Sequence, residues 1–161
     1  MIRPVLLTDA AAIAAIYREY VLTTTVTFET EAVSEAEMRQ RIADFSAHGP
    51  YFVFEEGGKV VGYCYAHRWK ERQAFCHTLE TTVYLAPEAQ HRGIGRQLMD
   101  CLIAACRKTS AHALVACITG ENASSIAFHR ALGFEEKSRF TEVGRKFGRW
   151  LDVVDMELLL S

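Results

Sequence analysis

The sequence predicts one α/β domain, built from a mixed central sheet with helices on its faces. Strand-type and helix-type patterns alternate in the order β-α-α-β-β-β-α-β-α-β-β, and no repeat, low-complexity tract or linker interrupts them. The length points the same way, because 161 residues, half of them apolar, suffice for one full core and leave little for a second.

The N-terminal part predicts a strand, two helices and a long loop. After the strand "IRPVLL", Thr8 or Asp9 caps a helix whose apolar positions recur at helical spacing: Ile13, Ile16, Tyr17 and Tyr20. Ser34 with Glu37 predicts a capping box for a second helix, whose buried side holds Met38, Ile42 and Phe45. The stretch "TTTVTFETE" between them fits neither pattern, so we expect a loop there, with Phe28 lining a site.

The remaining elements follow from turn signals and periodicity. Gly57 and Gly58 close a hairpin within "YFVFEEGGKVVGYCYAHRW", and a further strand is expected from about Ala74 to Leu85, stopped by Pro87. The next helix has an apolar face of Ile94, Leu98, Leu102 and Ala105. "ALVACI", residues 113–118, is typical of a strand covered on both faces. A short helix over about 122–132 ends at a glycine, and two strands complete the chain.

Composition and charge argue against several classes of function. Eighteen basic and twenty acidic residues give a formal net charge of -2, whereas a nucleic-acid binder would carry a basic excess. No run of about 18 apolar residues and no leader segment is visible, so we expect a cytoplasmic chain without a membrane partner. The five cysteines are odd in number and lack C-x-x-C spacing, which favours reduced thiols and gives no support to a zinc site.

The stretch "QHRGIG", residues 90–95, is typical of a loop that holds phosphate. A Walker loop needs a lysine and a hydroxyl after its last glycine, and a dinucleotide fingerprint needs a third glycine where Leu98 stands. Unhindered amides at Gly93 and Gly95 could instead hold a pyrophosphate at a helix start, with side-chain charge from His91, Arg92 and Arg96. A plain strand-to-helix turn explains the two glycines equally well.

The surrounding motifs resemble a known family. "Q-x-x-G-x-G" after a strand ending "VYL", followed later by "ENASSIAFHRALGF", resembles the acetyl-CoA signature of the GNAT N-acetyltransferase superfamily. The segments "YVLTTTVTFETE", "WKERQAF", "HTLETTVYL" and "GRKFGRWLDV" are similar to its phosphinothricin (methionine sulfoximine) N-acetyltransferase branch, across nearly the whole chain.

The resemblance implies a GNAT fold and an acetyl-CoA site. In that fold a mostly antiparallel sheet contains one splayed parallel pair, here "TVYL" and "ALVACI", which admits the pantetheine arm. Main-chain groups of Val83, Tyr84 and Leu85 would contact pantetheine, and Asn122 would complete the site. The pyrophosphate would lie on the loop and helix start formed by Gln90, His91, Arg92, Gly93, Ile94, Gly95 and Arg96.

Acetyl transfer needs a base, because only a neutral amine can attack the thioester. Glu80 lies in the middle of a predicted strand, and strict alternation alone places it on a solvated face with Thr78 and Thr82. The resemblance implies instead that Glu80 is the base, acting directly or through water, and that His129 protonates the leaving thiolate. From the sequence alone His129 is a surface residue of a helix.

A cysteine nucleophile is the rival mechanism. Cys76 and His77 are neighbours on the predicted strand, so their side chains should point to opposite faces and cannot pair. We therefore expect direct transfer in a ternary complex.

An anionic, amino-acid-like acceptor needs cations in its pocket. Lys70 and Arg72 are expected on one face of a strand, although a charged strand edge explains them equally well. The resemblance implies that Phe28 forms a wall of the acceptor pocket and Glu29 contacts the amine. Phe75 stands where the branch often has tyrosine, which leaves the specificity open among phosphinothricin, methionine sulfoximine, methionine sulfone and common amino acids.

The segment "GRKFGRWLD", residues 144–152, is basic and aromatic, a composition enriched at interfaces. Since the branch forms homodimers with sites near the subunit boundary, the resemblance implies a homodimer. Two alternatives remain: a GNAT enzyme for another amine, such as a protein N-terminus, a polyamine or an aminoglycoside, and a non-catalytic acyl-CoA sensor.

Overall fold

A computed structural model describes residues 1 to 161, and its elements follow the predicted order. They are β1 (Ile2–Pro4), α1 (Ala10–Thr23), α2 (Glu35–Ser46), β2 (Tyr51–Glu56), β3 (Lys59–Arg68), β4 (Thr78–Leu85), α3 (Ile94–Cys106), β5 (Ala113–Thr119), α4 (Ala123–Ala131), β6 (Glu135–Lys146) and β7 (Arg149–Leu159). None of the helices combines the length and the apolar character needed to cross a lipid bilayer.

The seven strands form one sheet in the order β1-β2-β3-β4-β5-β7-β6. Every neighbouring pair is antiparallel except β4 and β5, which run parallel. Their pairing extends only from Thr78 beside Ala113 to Glu80 beside Val115, although β4 continues to Leu85. The parallel pair therefore splays apart beyond Glu80, as the resemblance implied.

Helices cover the two faces of the sheet. On the first, called the α1 face, α1 and α2 pack against β3, and the Phe45 ring stacks on Tyr65 at 4.7 Å. On the second, called the α3 face, α3 lies so close to β3 that a Cβ on Gly62 would come 3.2 Å from a methyl of Leu98. Cys106, rather than the predicted Ala105, is the buried residue at the end of the α3 stripe.

Local signals account for most element ends. The Ser34 hydroxyl accepts the Glu37 amide at 3.1 Å and caps α2 as predicted. The reciprocal half of the predicted capping box is not formed, because the Glu37 carboxylate pairs with Arg41 at 3.1 Å. The hairpin between β2 and β3 turns at Gly57 and Gly58, with φ of 58° and 77°.

The segment before β4 differs from its prediction. Gln73–Phe75 form a 3-10 turn and β4 begins at Thr78, so the strand expected from Ala74 starts four residues later. Because β3 ends at Arg68, the residues that follow have no neighbouring strand for most of their length and form a loop. Consequently Lys70 and Arg72 do not share a strand face, and the strand argument applied to Cys76 and His77 was wrong.

Candidate active site

A cavity of about 800 Å³ opens where β4 and β5 splay apart. Its walls come from both faces of the sheet, because the gap between the strands connects them. Tyr17 and Glu80 line the part on the α1 face, whereas Gly93 and His129 line the part on the α3 face. Two molecules entering from opposite faces could therefore meet within the sheet.

The hydrogen-bond pattern of β4 shows which main-chain groups face the gap. The Trp69 amide donates to the Thr78 carbonyl at 3.4 Å, and the Ala86 amide donates to the Val61 carbonyl at 2.8 Å. In an antiparallel ladder alternate residues exchange these bonds, so the even-numbered positions of β4 bond to β3. The amides and carbonyls of the odd-numbered positions point towards β5 and the gap.

The three predicted pantetheine contacts differ in whether their main-chain groups face the gap or bond to β3. Val83 presents its amide and carbonyl to the gap, and the Leu85 carbonyl already accepts the Tyr20 hydroxyl at 2.5 Å. Tyr84 lines the cavity, but its main chain belongs to the β3 ladder. The prediction that Tyr84 offers main-chain groups to pantetheine was therefore wrong, since the strand pairs on that side.

A concave patch of free amides lies at the start of α3. His91 and Gly93 adopt left-handed backbone conformations, with φ of 60° and 79°, and Gly93 caps the helix. The amides of Ile94, Gly95 and Arg96 have no acceptor within the chain. This arrangement, together with the positive end of the helix dipole, fits a pyrophosphate.

Glu80 faces the cavity rather than bulk solvent, with a side chain 27% exposed. His67 pairs with it across β3 and β4, with Nε2 3.6 Å from Oε2. The Cys117 thiol of β5 donates to Oε1 at 3.6 Å. A partly desolvated carboxylate beside the gap can accept a proton from an amine bound on the α1 face.

Comparisons with known proteins agree with this geometry. A family model described as "Acetyltransferase (GNAT) domain" matches residues 2–154. The chain belongs to the GNAT acetyltransferase family. It is 41% identical over 155 residues to phosphinothricin N-acetyltransferase from Alcaligenes faecalis, covering 95% of this chain and 79% of the relative. It is 38% identical to the L-methionine sulfoximine/L-methionine sulfone acetyltransferase of Salmonella typhimurium, covering 95% and 90%.

A solved structure shows the same fold with the donor bound. The phosphinothricin acetyltransferase from Sinorhizobium meliloti, in complex with acetyl-CoA, superimposes with a TM-score of 0.96 at 39% identity, covering 100% of this chain and 88% of that one. The chain is thus a GNAT acetyltransferase with the predicted mixed, mostly antiparallel sheet.

In this GNAT acetyltransferase several residues of the predicted cofactor set have internal partners. Arg92 forms a two-fold ion pair with Glu56, at 2.6 and 3.1 Å, and does not line the cavity. Arg96 lines the cavity but bonds Asp100 at 3.0 Å. Arg92 therefore forms a surface ion pair. The prediction that its side chain binds the cofactor does not fit, because the Glu56 carboxylate of β2 holds the guanidinium away from the cavity.

The other members of the set contribute in different ways. The side chain of Ile94 is buried in the core, so only its amide is available. Gln90 lines the cavity and donates to the Tyr20 hydroxyl at 2.9 Å. Asn122 lines the cavity as the cap of α4, where its side chain accepts the Ser125 amide at 3.2 Å.

His129 is buried, with 5% of its surface exposed, and is not the surface residue that its helix pattern suggested. Its Nδ1 donates to the Ser125 carbonyl at 2.8 Å, because a carbonyl can only accept. Burial lowers the pKa of His129, which favours the neutral ring. A neutral imidazole with its hydrogen on Nδ1 accepts at Nε2, so the predicted donation to a thiolate requires prior protonation.

The predicted acceptor residues are only partly assembled. Phe28 lines the cavity and packs on Gly144, where an added Cβ would approach its ring to 3.0 Å. Glu29 lies outside the cavity lining, because Arg41 holds both carboxylate oxygens at 2.6 and 2.9 Å and the Tyr17 hydroxyl donates to one of them. Each oxygen of Glu29 therefore already has a partner within the chain, and its contact with the amine stays a prediction.

Three further acceptor candidates lie outside the cavity. The Lys70 ammonium stands 4.4 Å over the Trp69 ring and 5.6 Å from that of Phe75. The cavity lining includes none of the three candidates Lys70, Arg72 and Phe75. The part of the cavity on the α1 face therefore contains no lysine or arginine from its own chain, contrary to the prediction.

The long loop after α1 is held in place by the C-terminal half of the sheet. Lys146 is buried, and its ammonium donates to the Thr27 carbonyl at 2.9 Å. The Thr119 hydroxyl donates to the Thr25 carbonyl at 2.5 Å. These bonds position the loop wall that carries Phe28.

Sequence reasoning missed most of the α1-face lining. These residues share aromatic or polar side chains and come from α1, β3 and β5: Tyr17, Tyr20, Tyr65, His67 and Cys117. The tyrosines of α1 carried a helical spacing that indicates a core face and gave no sign of a cavity. Cys117 is the one exposed position of β5 and opens to the cavity while the rest of the strand is buried, and the splayed pairing explains this.

Proposed function

We propose that this protein transfers acetyl from acetyl-CoA to the α-amine of a small amino-acid-like acceptor, by direct attack in a ternary complex. The acceptor is phosphinothricin, methionine sulfoximine, methionine sulfone or a close analogue, as the names of its relatives suggest. The observation that carries the proposal is one cavity with the Glu80 carboxylate on one face of the sheet and the amide patch of α3 on the other.

Acetyl-CoA fits the residues present on the α3 face. The free amides of Ile94, Gly95 and Arg96 would hold its pyrophosphate, and the Val83 main chain would align the pantetheine arm along the edge of β4. When bound, the cofactor supplies an acetyl group already activated as a thioester. The Val83 amide, which faces the gap, would be free to donate to the thioester oxygen as that oxygen gains negative charge.

Glu80 would prepare the acceptor. At neutral pH an alkyl amine is largely an ammonium, which has no lone pair, so proton removal precedes attack. The carboxylate would take one proton and the nitrogen lone pair would form the bond to the acetyl carbon. The bond from that carbon to sulfur would break, and a second proton of the nitrogen would pass to the leaving thiolate.

The first experiment is a CoA-release assay over the four acceptors, with a protein N-terminal peptide, spermidine and an aminoglycoside for the alternatives. We expect turnover with at least one amino-acid-like acceptor and a fall of about 100-fold or more in Glu80→Gln. Glu157→Gln is the matched control, because Glu157 lies on the same face of the sheet outside the cavity. Preference for another amine, or acetyl-CoA binding without turnover on any acceptor, would overturn the proposal.

A homodimer would supply the missing cations. Large aromatic side chains are exposed along the hairpin of β6 and β7, at Phe140, Phe147 and Trp150, where a second chain could bury them. Lys70 and Arg72 lie outside their own cavity, so we place them near the acceptor only across a subunit boundary.

Mixing two inactive variants tests this arrangement. Glu80→Gln and the double variant Lys70→Met/Arg72→Met should each have low activity with anionic acceptors, and a mixture should regain about a quarter of the wild-type rate if subunits exchange and cations act across the boundary. Light scattering measures the mass of the protein in solution and so distinguishes a dimer from a monomer. A monomer at assay concentration, or an active double variant, would contradict the dimer proposal without affecting the chemistry.

A further inference from the structure

Three strands place a row of polar side chains around Glu80. His67 of β3 is its direct partner in the antiparallel register. Cys117 of β5 lies two residues beyond Val115, the parallel partner of Glu80, and therefore on the same face. All three side chains line the cavity, and each oxygen of the carboxylate has its own neighbour: His67 Nε2 at 3.6 Å from Oε2 and the Cys117 thiol at 3.6 Å from Oε1.

The orientation of the His67 ring is defined by its surroundings. Nδ1 donates to the Arg68 carbonyl at 2.9 Å, and since a carbonyl only accepts, the ring hydrogen lies on Nδ1. The Phe45 ring stacks on the imidazole at 4.8 Å and holds its plane. In its neutral form the ring therefore presents the lone pair of Nε2 to the Glu80 carboxylate.

Glu80 has to lose the proton that it takes, because acetylation of an ammonium releases one proton for each turnover. We propose that His67 acts through Glu80 as the group that takes over this proton, an inference that rests on the proposed acetyl transfer. The Oε2–H bond breaks, a bond from Nε2 to hydrogen forms, and the carboxylate returns to its charged state. A small rotation of the Glu80 side chain brings the two atoms within hydrogen-bond distance.

The imidazolium then passes the proton to solvent. The His67 side chain is 23% exposed, so water can reach it. Imidazole is the side chain whose charge changes closest to neutral pH, which suits a relay between a carboxylate and water. His67 is thus a positioning residue that need not touch the acceptor.

Two other titratable groups near this pair stay protonated at neutral pH. Burial raises the pKa of the Tyr65 hydroxyl, beside His67 on β3, to about 12. Burial, with Glu80 and Asp155 nearby, raises the pKa of the Cys117 thiol well above its usual value. Asp155 of β7 lies behind that thiol and accepts the Ser138 hydroxyl at 3.0 Å, while α2 presents the apolar Phe45 ring.

His67→Gln tests the inference, because glutamine keeps the size and polarity but does not take up a proton. We expect kcat/KM for the acceptor to fall about tenfold, and the pH profile of kcat/KM to lose an inflection that the wild type shows. The dissociation constant of acetyl-CoA should stay within twofold. His48→Gln is the matched control, since His48 makes the same bond from Nδ1 to a carbonyl, at 2.8 Å, in the exposed turn that follows α2.

The double variant Glu80→Gln/His67→Gln separates a relay from a structural role. If His67 acts only through Glu80, the double variant should be as active as Glu80→Gln alone. Added imidazole should also restore part of the activity of His67→Ala. A wild-type pH profile in His67→Gln, or a full second loss in the double variant, would overturn the inference. Failure of the wild type to acetylate any acceptor would instead overturn the proposed function.

Discussion

The Thr81 hydroxyl is the only side-chain oxygen or nitrogen that is buried without a hydrogen-bond partner. An unpaired buried hydroxyl costs stability, so its replacement by a methyl group of similar shape should be favourable. We expect Thr81→Val to raise the free energy of unfolding by about 1 kcal/mol, measured by urea denaturation. Thr119→Val is the opposite case, because the Thr119 hydroxyl donates to the Thr25 carbonyl. Its removal should lower the free energy of unfolding by about 1 kcal/mol. Equal effects of the two substitutions would contradict this assignment.

The pairing of Glu29 with Arg41 predicts a pH-dependent contribution to stability. The Arg41 guanidinium, more than any other group, holds the pKa of Glu29 below its usual 4.5. The ion pair therefore contributes fully above pH 4.5 and is lost as the pH falls through the lowered pKa. The gap in unfolding free energy between wild type and Glu29→Gln should be largest near neutral pH and narrow below pH 4.5. Glu31→Gln, at an exposed residue of the same loop, should leave the pH dependence unchanged.

At the scale of elements, the start of α3 depends on a left-handed glycine. Gly93 and Gly58 have nearly equal φ, 79° and 77°, and an added Cβ at either position would meet nothing within 4 Å. Alanine should therefore cost about 1–2 kcal/mol at both positions through backbone strain alone. Only Gly93→Ala should weaken acetyl-CoA binding, which titration calorimetry measures, because only that turn presents amides to the cavity. A loss of affinity in Gly58→Ala would show that general destabilisation is responsible.

The elements also show how far local signals extend. The hairpin at Gly57, the cap at Ser34 and the helix start at Gly93 were predictable, because each depends on the conformational freedom or hydrogen bonding of a few consecutive residues. The loop before β4 was not predictable. Its strand-like residues lack a neighbouring strand, which is a property of the sheet rather than of the segment.

At the scale of the whole molecule, a donor bound in the gap would connect the two halves of the sheet. Acetyl-CoA at about 100 times its dissociation constant should stabilise the chain by about 2.7 kcal/mol, or roughly 5–10 °C in Tm for a protein of this size. Pantetheine, which lacks the pyrophosphate, should give a much smaller shift at equal concentration. Equal shifts would place the binding energy outside the amide patch of α3.

The sequence by itself determined the order of the elements, the amide patch at Gly93 and the family, because these follow from periodicity, local backbone freedom and motif spacing. Tertiary structure decided which charges are available. Arg92 is paired with Glu56 and Glu29 with Arg41, while Glu80 has neighbours from β3 and β5. A charge is satisfied by whichever partner the fold brings within a few ångströms, and that partner can lie far away in sequence.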